Sequence, residues 1–92
     1  MRKLNDQVLL AGIAKNDVSK GVRWEAIPKL NDQVTLAEIA VNDTDAEVRQ
    51  TAVSSLTDQA LLAEIAEKDE SEGIRKAATE RLGKLKEVNG QK

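Results

Sequence analysis

The sequence predicts an all-α chain, folded as an α-solenoid of three two-helix units and therefore of about six helices. Three observations carry this expectation. The chain repeats itself with a period of 26 residues, the apolar residues of each unit fall at three- and four-residue spacings, and residues suited to opening a helix recur at the same two places in every unit.

Shifting the chain against itself by 26 residues aligns Leu4, Leu30, Leu56 and Leu82 without an insertion. The same shift aligns Asp6, Asp32 and Asp58, then Gln7, Gln33 and Gln59, then Leu10, Leu36 and Leu62. It also superposes the pairs Ile13-Ala14, Ile39-Ala40 and Ile65-Ala66, and further on Asp17, Asp43 and Asp69, Arg23, Arg49 and Arg75, and Ala26, Ala52 and Ala78. Periods of about 20 to 50 residues mark stacked arrays, and about three copies are needed to bury a continuous core. The units are read as residues 4–29, 30–55 and 56–81, with a C-terminal cap and tail at 82–92, all within a single domain spanning 1–92.

The first segment of each unit is helical by its spacing: in the middle copy Leu36, Ala37, Ile39 and Ala40 share one face. Asn5, Asn31 and Thr57 stand directly before an acid and a Gln, so they are the expected N-caps, with a carboxylate near the positive helix end. Asn16, Asn42 and Lys68 fall where this helix should stop, Asn tolerating the left-handed conformation that often closes one. A second helix then opens at Ser19, Asp45 or Ser71, and in the middle unit Thr44 and Glu47 also have capping-box spacing. Its inner face carries Val22 and Ala26, Val48 and Ala52, or Ile74 and Ala78, and it should reach the Leu of the following unit. Pro28 should end or kink the first copy, because proline lacks the amide donor and clashes one turn back. After Leu82 the chain reads Gly-Lys-Leu-Lys-Glu-Val, so the last helix should extend as a basic cap and fray from Asn89 to Lys92.

Composition narrows the function. The chain is 40% hydrophobic and 33% charged with a single Trp and no Phe or Tyr, so Leu, Ile, Val and Ala must form the core. Without Cys or His it lacks disulfides, thiolate metal sites, the commonest metal ligand and the usual proton shuttle near neutral pH. No apolar run approaches the roughly 20 residues that cross a bilayer, and the start is unlike a signal peptide, so the chain reads as cytoplasmic. A net charge of -2 offers no general attraction to phosphate backbones or anionic lipid. A protein is therefore the expected partner, with neither nucleic acid nor membrane favoured, and the chain is expected to be a monomer or weak dimer.

From Leu4 to about Leu82 the chain resembles HEAT repeats or their shorter bacterial relatives. The resemblance lies in an Asp between the helices with a Val-Arg or Ile-Arg further on: Asp17 and Arg23, Asp43 and Arg49, Asp69 and Arg75. It implies a right-handed superhelix in which these six residues form a structural ladder of hydrogen bonds between successive units. Arg suits such a place because its planar donor fork matches a carboxylate and stays charged when partly buried. The period is shorter than in typical HEAT units, and the Pro common in their first helix is missing. The leucine-rich-repeat variant family has a similar signature, but it includes a 3₁₀ segment and a cysteine-bound cluster, whereas here both segments carry α-helix caps and Cys is absent.

No catalytic, cofactor or metal residues are assigned. Asp43, Asp45 and Glu47 are superficially like a calcium loop but lack its Gly and distal Glu, so they read as a helix-start cluster. Asn42-Asp43-Thr44 is formally a glycosylation sequon, without a secretion signal to expose it to that chemistry. Trp24 breaks the pattern, since its counterparts are Gln50 and Lys76. Two readings stand: Trp24 folds over the end of the array, or it meets a partner across a surface formed with Lys20, Gln50 and Lys76. Val34, Glu38 and Val41 read as a rim contact or dimer patch or as a solvated stripe, and Arg75, Lys76, Arg81, Lys84 and Lys86 as a basic set suited to an acidic partner or to a helix end. The expected function is a non-catalytic protein-interaction scaffold. The alternatives are a nucleic-acid-binding module and an accessory segment of a larger enzyme.

Overall fold

A computed structural model describes the backbone of residues 2–90 and the side chains of residues 7–87. The described residues form six α-helices and no strand: α1 (Arg2–Asn16), α2 (Lys20–Ala26), α3 (Gln33–Asn42), α4 (Ala46–Ser55), α5 (Gln59–Lys68) and α6 (Glu72–Gly90), with a 3₁₀ turn at Ile27–Lys29. Helices pack in chain-order pairs, α1 on α2, α3 on α4 and α5 on α6, and neighbouring pairs meet through α1 and α3, α2 and α4, and α4 and α6. The molecule measures 38 × 32 × 16 Å. Its short dimension is that of two helix layers at an interaxial spacing of about 8–10 Å.

One aliphatic core runs through all the units. It comprises Ala14, Ala26, Ile27 and Leu30, then Leu36, Ile39, Ala40, Val48, Ala52, Val53 and Leu56, then Leu62, Ile65, Ile74 and Ala78. Ile27 and Val53 reach it from the ends of the second helices, and Leu30 and Leu56 from the connections that follow, where backbone turns from one pair to the next.

The helix starts differ from the expectation by one residue. Asp32 and Asp58, not Asn31 and Thr57, are the N-caps of α3 and α5: the Asp32 carboxylate accepts from the Val34 amide and the Thr35 hydroxyl, and that of Asp58 from the Leu61 amide. Asn31 and Thr57 instead give their backbone N–H groups to Gln7 and Gln33. Position 5 lies inside α1 rather than at its start. The second helices open as expected at Ser19, Asp45 and Ser71, whose side chains accept amides of the first turn. Asp45 rather than Thr44 performs this role in the middle unit.

The first helices end at Asn16, Asn42 and Lys68, but not by a left-handed residue. No non-glycine residue among those described has positive φ, and Asp43 and Asp69 are extended, with ψ of 141° and 139°. The chain turns because each of Asp17, Asp43 and Asp69 accepts the backbone amide two residues on, at 2.9, 2.8 and 2.8 Å. Pro28 sits in the 3₁₀ turn that cuts α2 short. α6 does not fray at Asn89 but remains helical through Gly90, while Gln91 and Lys92 lie outside the described residues. Its continuation has a simple cause. Where Asp32 and Asp58 cap a new helix, the register-equivalent residue is Lys84, so nothing opens a fresh helix and the old one runs on.

Leu56→Ala, at a fully buried side chain, should cost about 2–5 kcal/mol in urea denaturation followed by helical circular dichroism. Gly12→Ala adds a methyl group that meets nothing within 4 Å inside α1. It should raise stability by about 0.5–1 kcal/mol in the same titration.

Candidate functional site

Most of the repeated polar residues hold the helix pairs together. Arg23, on α2, directs Nε and Nη2 to the two oxygens of Asp43 at 2.9 and 3.1 Å, while Nη1 donates to the Asp17 carbonyl at 2.7 Å. Arg49 repeats the arrangement with Asp69 at 3.3 and 3.4 Å and the Asp43 carbonyl at 2.8 Å. Arg75 donates to the Asp69 carbonyl at 2.6 Å. Asp and Arg of one unit thus meet through the Asp carbonyl, and the carboxylate pairs with the Arg of the preceding unit. The paired side chains are almost wholly withdrawn from water.

A second set of clamps lies at the opposite end of the first helices. Gln7 donates Nε2 to the Lys29 carbonyl and accepts the Asn31 amide, both at 3.0 Å. Gln33 does the same with the Ser55 carbonyl at 3.1 Å and the Thr57 amide at 3.0 Å. A primary amide fits because it carries a donor and an acceptor side by side, the complement of a backbone turn. Sequence reasoning placed these glutamines beside the caps and missed the role, although their recurrence 26 residues apart was the available signal. At the third position, Gln59, no following turn exists because α6 runs on; Arg81 of α6 donates to the Leu56 carbonyl at 2.8 Å, in the turn that Gln33 also holds. Arg81 therefore leaves the free basic set of the C-terminal helix.

Of the four proposed partner-binding residues, three are brought together. Trp24 is 50% exposed. It lines a crevice of about 140 Å³ with Lys20, Gly21, Asp45, Glu47 and Val48, and a wider one of about 390 Å³ with Glu47, Gln50, Thr51 and Ser54. The indole thus lies between α2 and α4, toward the second unit rather than over the free edge of the first. Lys20, one turn before Trp24, binds Asp45 at 3.2 Å. Lys76 occupies the equivalent place on α6 and is exposed, but lines neither crevice.

The stripe on the first helices behaves differently in its two copies. Lys15 spans from α1 to Glu38 at 3.0 Å, and the crevice there is about 300 Å³. Between α3 and α5 the counterpart of Lys15 is Val41, too short and uncharged to span the gap. Glu64, counterpart of Glu38, turns to Lys68 on its own helix at 3.7 Å. The crevice opens to about 790 Å³, bordered by Val41, Leu61, Ile65, Lys68 and the Arg49–Asp69 pair.

Asp43, Asp45 and Glu47 do not converge on a common point: Asp43 holds the turn, and Asp45 caps α4 through the amides of Glu47 and Val48 at 2.8 and 3.2 Å. Desolvation acts to raise the Asp45 pKa, but the Val48 amide, Lys20 and the Glu47 amide together outweigh it and hold the carboxyl below its ordinary value of 3.8. The Thr35 hydroxyl, aided by the Val34 amide, lowers Asp32 likewise. Comparison with protein families, with curated proteins and with solved structures finds no match to this chain.

Arg49→Ala should cost about 2–4 kcal/mol in denaturant titration, because it strands the withdrawn Asp69 carboxylate. Lys15→Ala removes only an exposed pair and should cost under about 0.5 kcal/mol. A carboxyl with a depressed folded-state pKa contributes stability above its unfolded value and loses it as pH falls through the folded value. Asp45→Asn keeps a capping acceptor that cannot titrate. Its stability should consequently fall less steeply than that of the wild type as pH drops from about 4 to 2, measured by thermal melts.

Proposed function

We propose that the chain is a non-catalytic scaffold for protein–protein interaction, a right-handed α-solenoid of HEAT-like units that receives its partner on the surface between α2 and α4. The half-exposed Trp24 carries this reading. It is the only aromatic residue of the chain and replaces the polar Gln50 and Lys76 of the other copies. An indole beside a groove supplies a large contact area at little cost in rotamer freedom, the property that concentrates Trp in interface hot spots. Most of the recurrent Asp, Arg and Gln residues support the reading from the other side, since Gln7, Arg23, Gln33, Asp43, Arg49 and Asp69 direct their hydrogen bonds to the helix connections.

The charge around the indole suggests the chemistry of the partner. Lys20 is neutralised by Asp45, whereas Glu47 is exposed and lines both crevices beside the indole. A segment presenting an apolar side chain next to Lys or Arg would fill the groove and meet this carboxylate. Such a contact would speed association at low salt more than it would deepen affinity.

Affinity capture from an extract of the source cells, run with wild type and Trp24→Ala in parallel, tests the proposal. A hot-spot loss of about 2 kcal/mol corresponds to roughly 30-fold weaker binding, with the helical spectrum unchanged. Emission from Trp24, the sole indole, should also shift when the captured protein is added back. Equal capture by both chains would refute the assignment.

A further inference from the structure

The ladder between helix pairs is built from two unlike halves, and among the described residues one copy of each lacks its complement. The acceptor half consists of an Asp and the aliphatic residues flanking it. In the second and third units this half is covered by the preceding pair: Ile39 and Ile65 are 2% and 5% exposed, and Val48 and Ile74 are each 1% exposed. Their counterparts in the first unit, Ile13 and Val22, are 38% and 43% exposed, and the neighbouring Leu9 is 63% exposed. Asp17 accepts the Ser19 amide on one carboxylate oxygen but, unlike Asp43 and Asp69, has no Arg among the described residues.

The donor half lies at the other end of the molecule. Arg23 and Arg49 each place Nε and Nη2 on a carboxylate of the next pair, whereas the same atoms of Arg75 have no acceptor among the described residues. Nη1 of Arg75 is already fixed on the Asp69 carbonyl, as in the other two arginines, so the rest of the fork is held in register for a carboxylate. Around it, Thr79 is exposed where its counterparts Ile27 and Val53 are buried, Ala66 is half-buried where Ala14 and Ala40 are buried, and Ala63 is exposed where Ala11 and Ala37 are half-buried.

We infer that two copies of this 92-residue chain associate head to tail, the α5–α6 end of one docking on the α1–α2 end of the next, with the partner copy's arginine fork closing on the Asp17 carboxylate. The internal junctions show this contact made twice, with the same Arg and Asp at its centre and aliphatic residues on the acceptor side, Thr79 standing on the donor side where they have Ile27 and Val53. A cation meets an anion at its centre, and the exposed aliphatic side chains of α1 and α2 face small residues of α5 and α6. Because the two surfaces differ, the contact is heterologous and leaves a free half at each end of every assembly. The product is an open series that lengthens with concentration, not a closed dimer. The surface is separate from the Trp24 groove.

Sedimentation velocity of the chain from about 10 μM to 1 mM, the range suited to a small, weak interface, should show mass rising continuously past that of a dimer. Leu9→Glu breaks no hydrogen bond of the described residues and should weaken association at least tenfold with the helical spectrum intact. Asp17→Arg and Arg75→Asp should each be monomeric alone and associate again when mixed, because the reversed charges restore a complementary contact. Trp24→Ala should associate like the wild type. A monomer at every concentration would overturn the inference. So would a dimer that stops growing and ignores Arg75→Asp, the signature of two α1–α2 ends meeting face to face.

Discussion

The structure depends on a guanidinium that binds in two directions at once. One nitrogen of Arg23 or Arg49 holds the backbone turn of its own helix pair, and the other two hold the carboxylate that shapes the turn of the next. A turn between helices exposes carbonyls that the helix can no longer satisfy, and a stack of such turns would carry that cost at every junction. The arginine removes it locally and couples neighbours in the same act. The carboxylate is equally busy, since Asp43 takes an Arg fork and the Asp45 amide together. Disturbing either partner therefore disturbs two turns, and cooperativity between units follows from a shared hydrogen-bonding group as well as from the shared core.

The two ends of the first helices are fastened by different chemistry. The Asp–Arg end uses ionised groups withdrawn from water, where a charge-assisted bidentate pair is strongest and its loss most costly. The glutamine end uses neutral amides on more exposed backbone, where a charge would gain little. Both fix the angle between successive pairs from opposite edges. The aliphatic core between them is left to supply the bulk of the stability without aromatic residues, and its small Ala14, Ala40, Ala52 and Ala78 let the helices approach closely.

The helical periodicity, the position of each interhelical turn and the effect of Pro28 were legible in the sequence because each depends on local patterns that survive copying. The cap residue was misplaced by one because Asn, Asp and Thr are all good caps, and what separates them is a contact 24 residues away: the Gln7 and Gln33 amides take the backbone of Asn31 and Thr57. The left-handed helix end was expected from Asn16 and Asn42 as isolated residues, but the following Asp captures the chain in an extended turn instead. That Arg23 reaches forward to Asp43 rather than to the Asp17 carboxylate is likewise a matter of three-dimensional offset, invisible in a spacing of six residues. Trp24 stood out in the sequence only as a break in the repeat, and whether the indole lies over the end of the array or toward the second unit depends on the crevice between α2 and α4.

The unbroken run of α6 shows how an array of this kind is punctuated. The second and third pairs each open on an acid, Asp32 or Asp58, and at position 84 a lysine stands in that register. Withholding one carboxylate lets a helix run on where the other copies open a new one. Whether the chain continues or turns at such a junction is then decided by very few side chains, without any change to the units already in place.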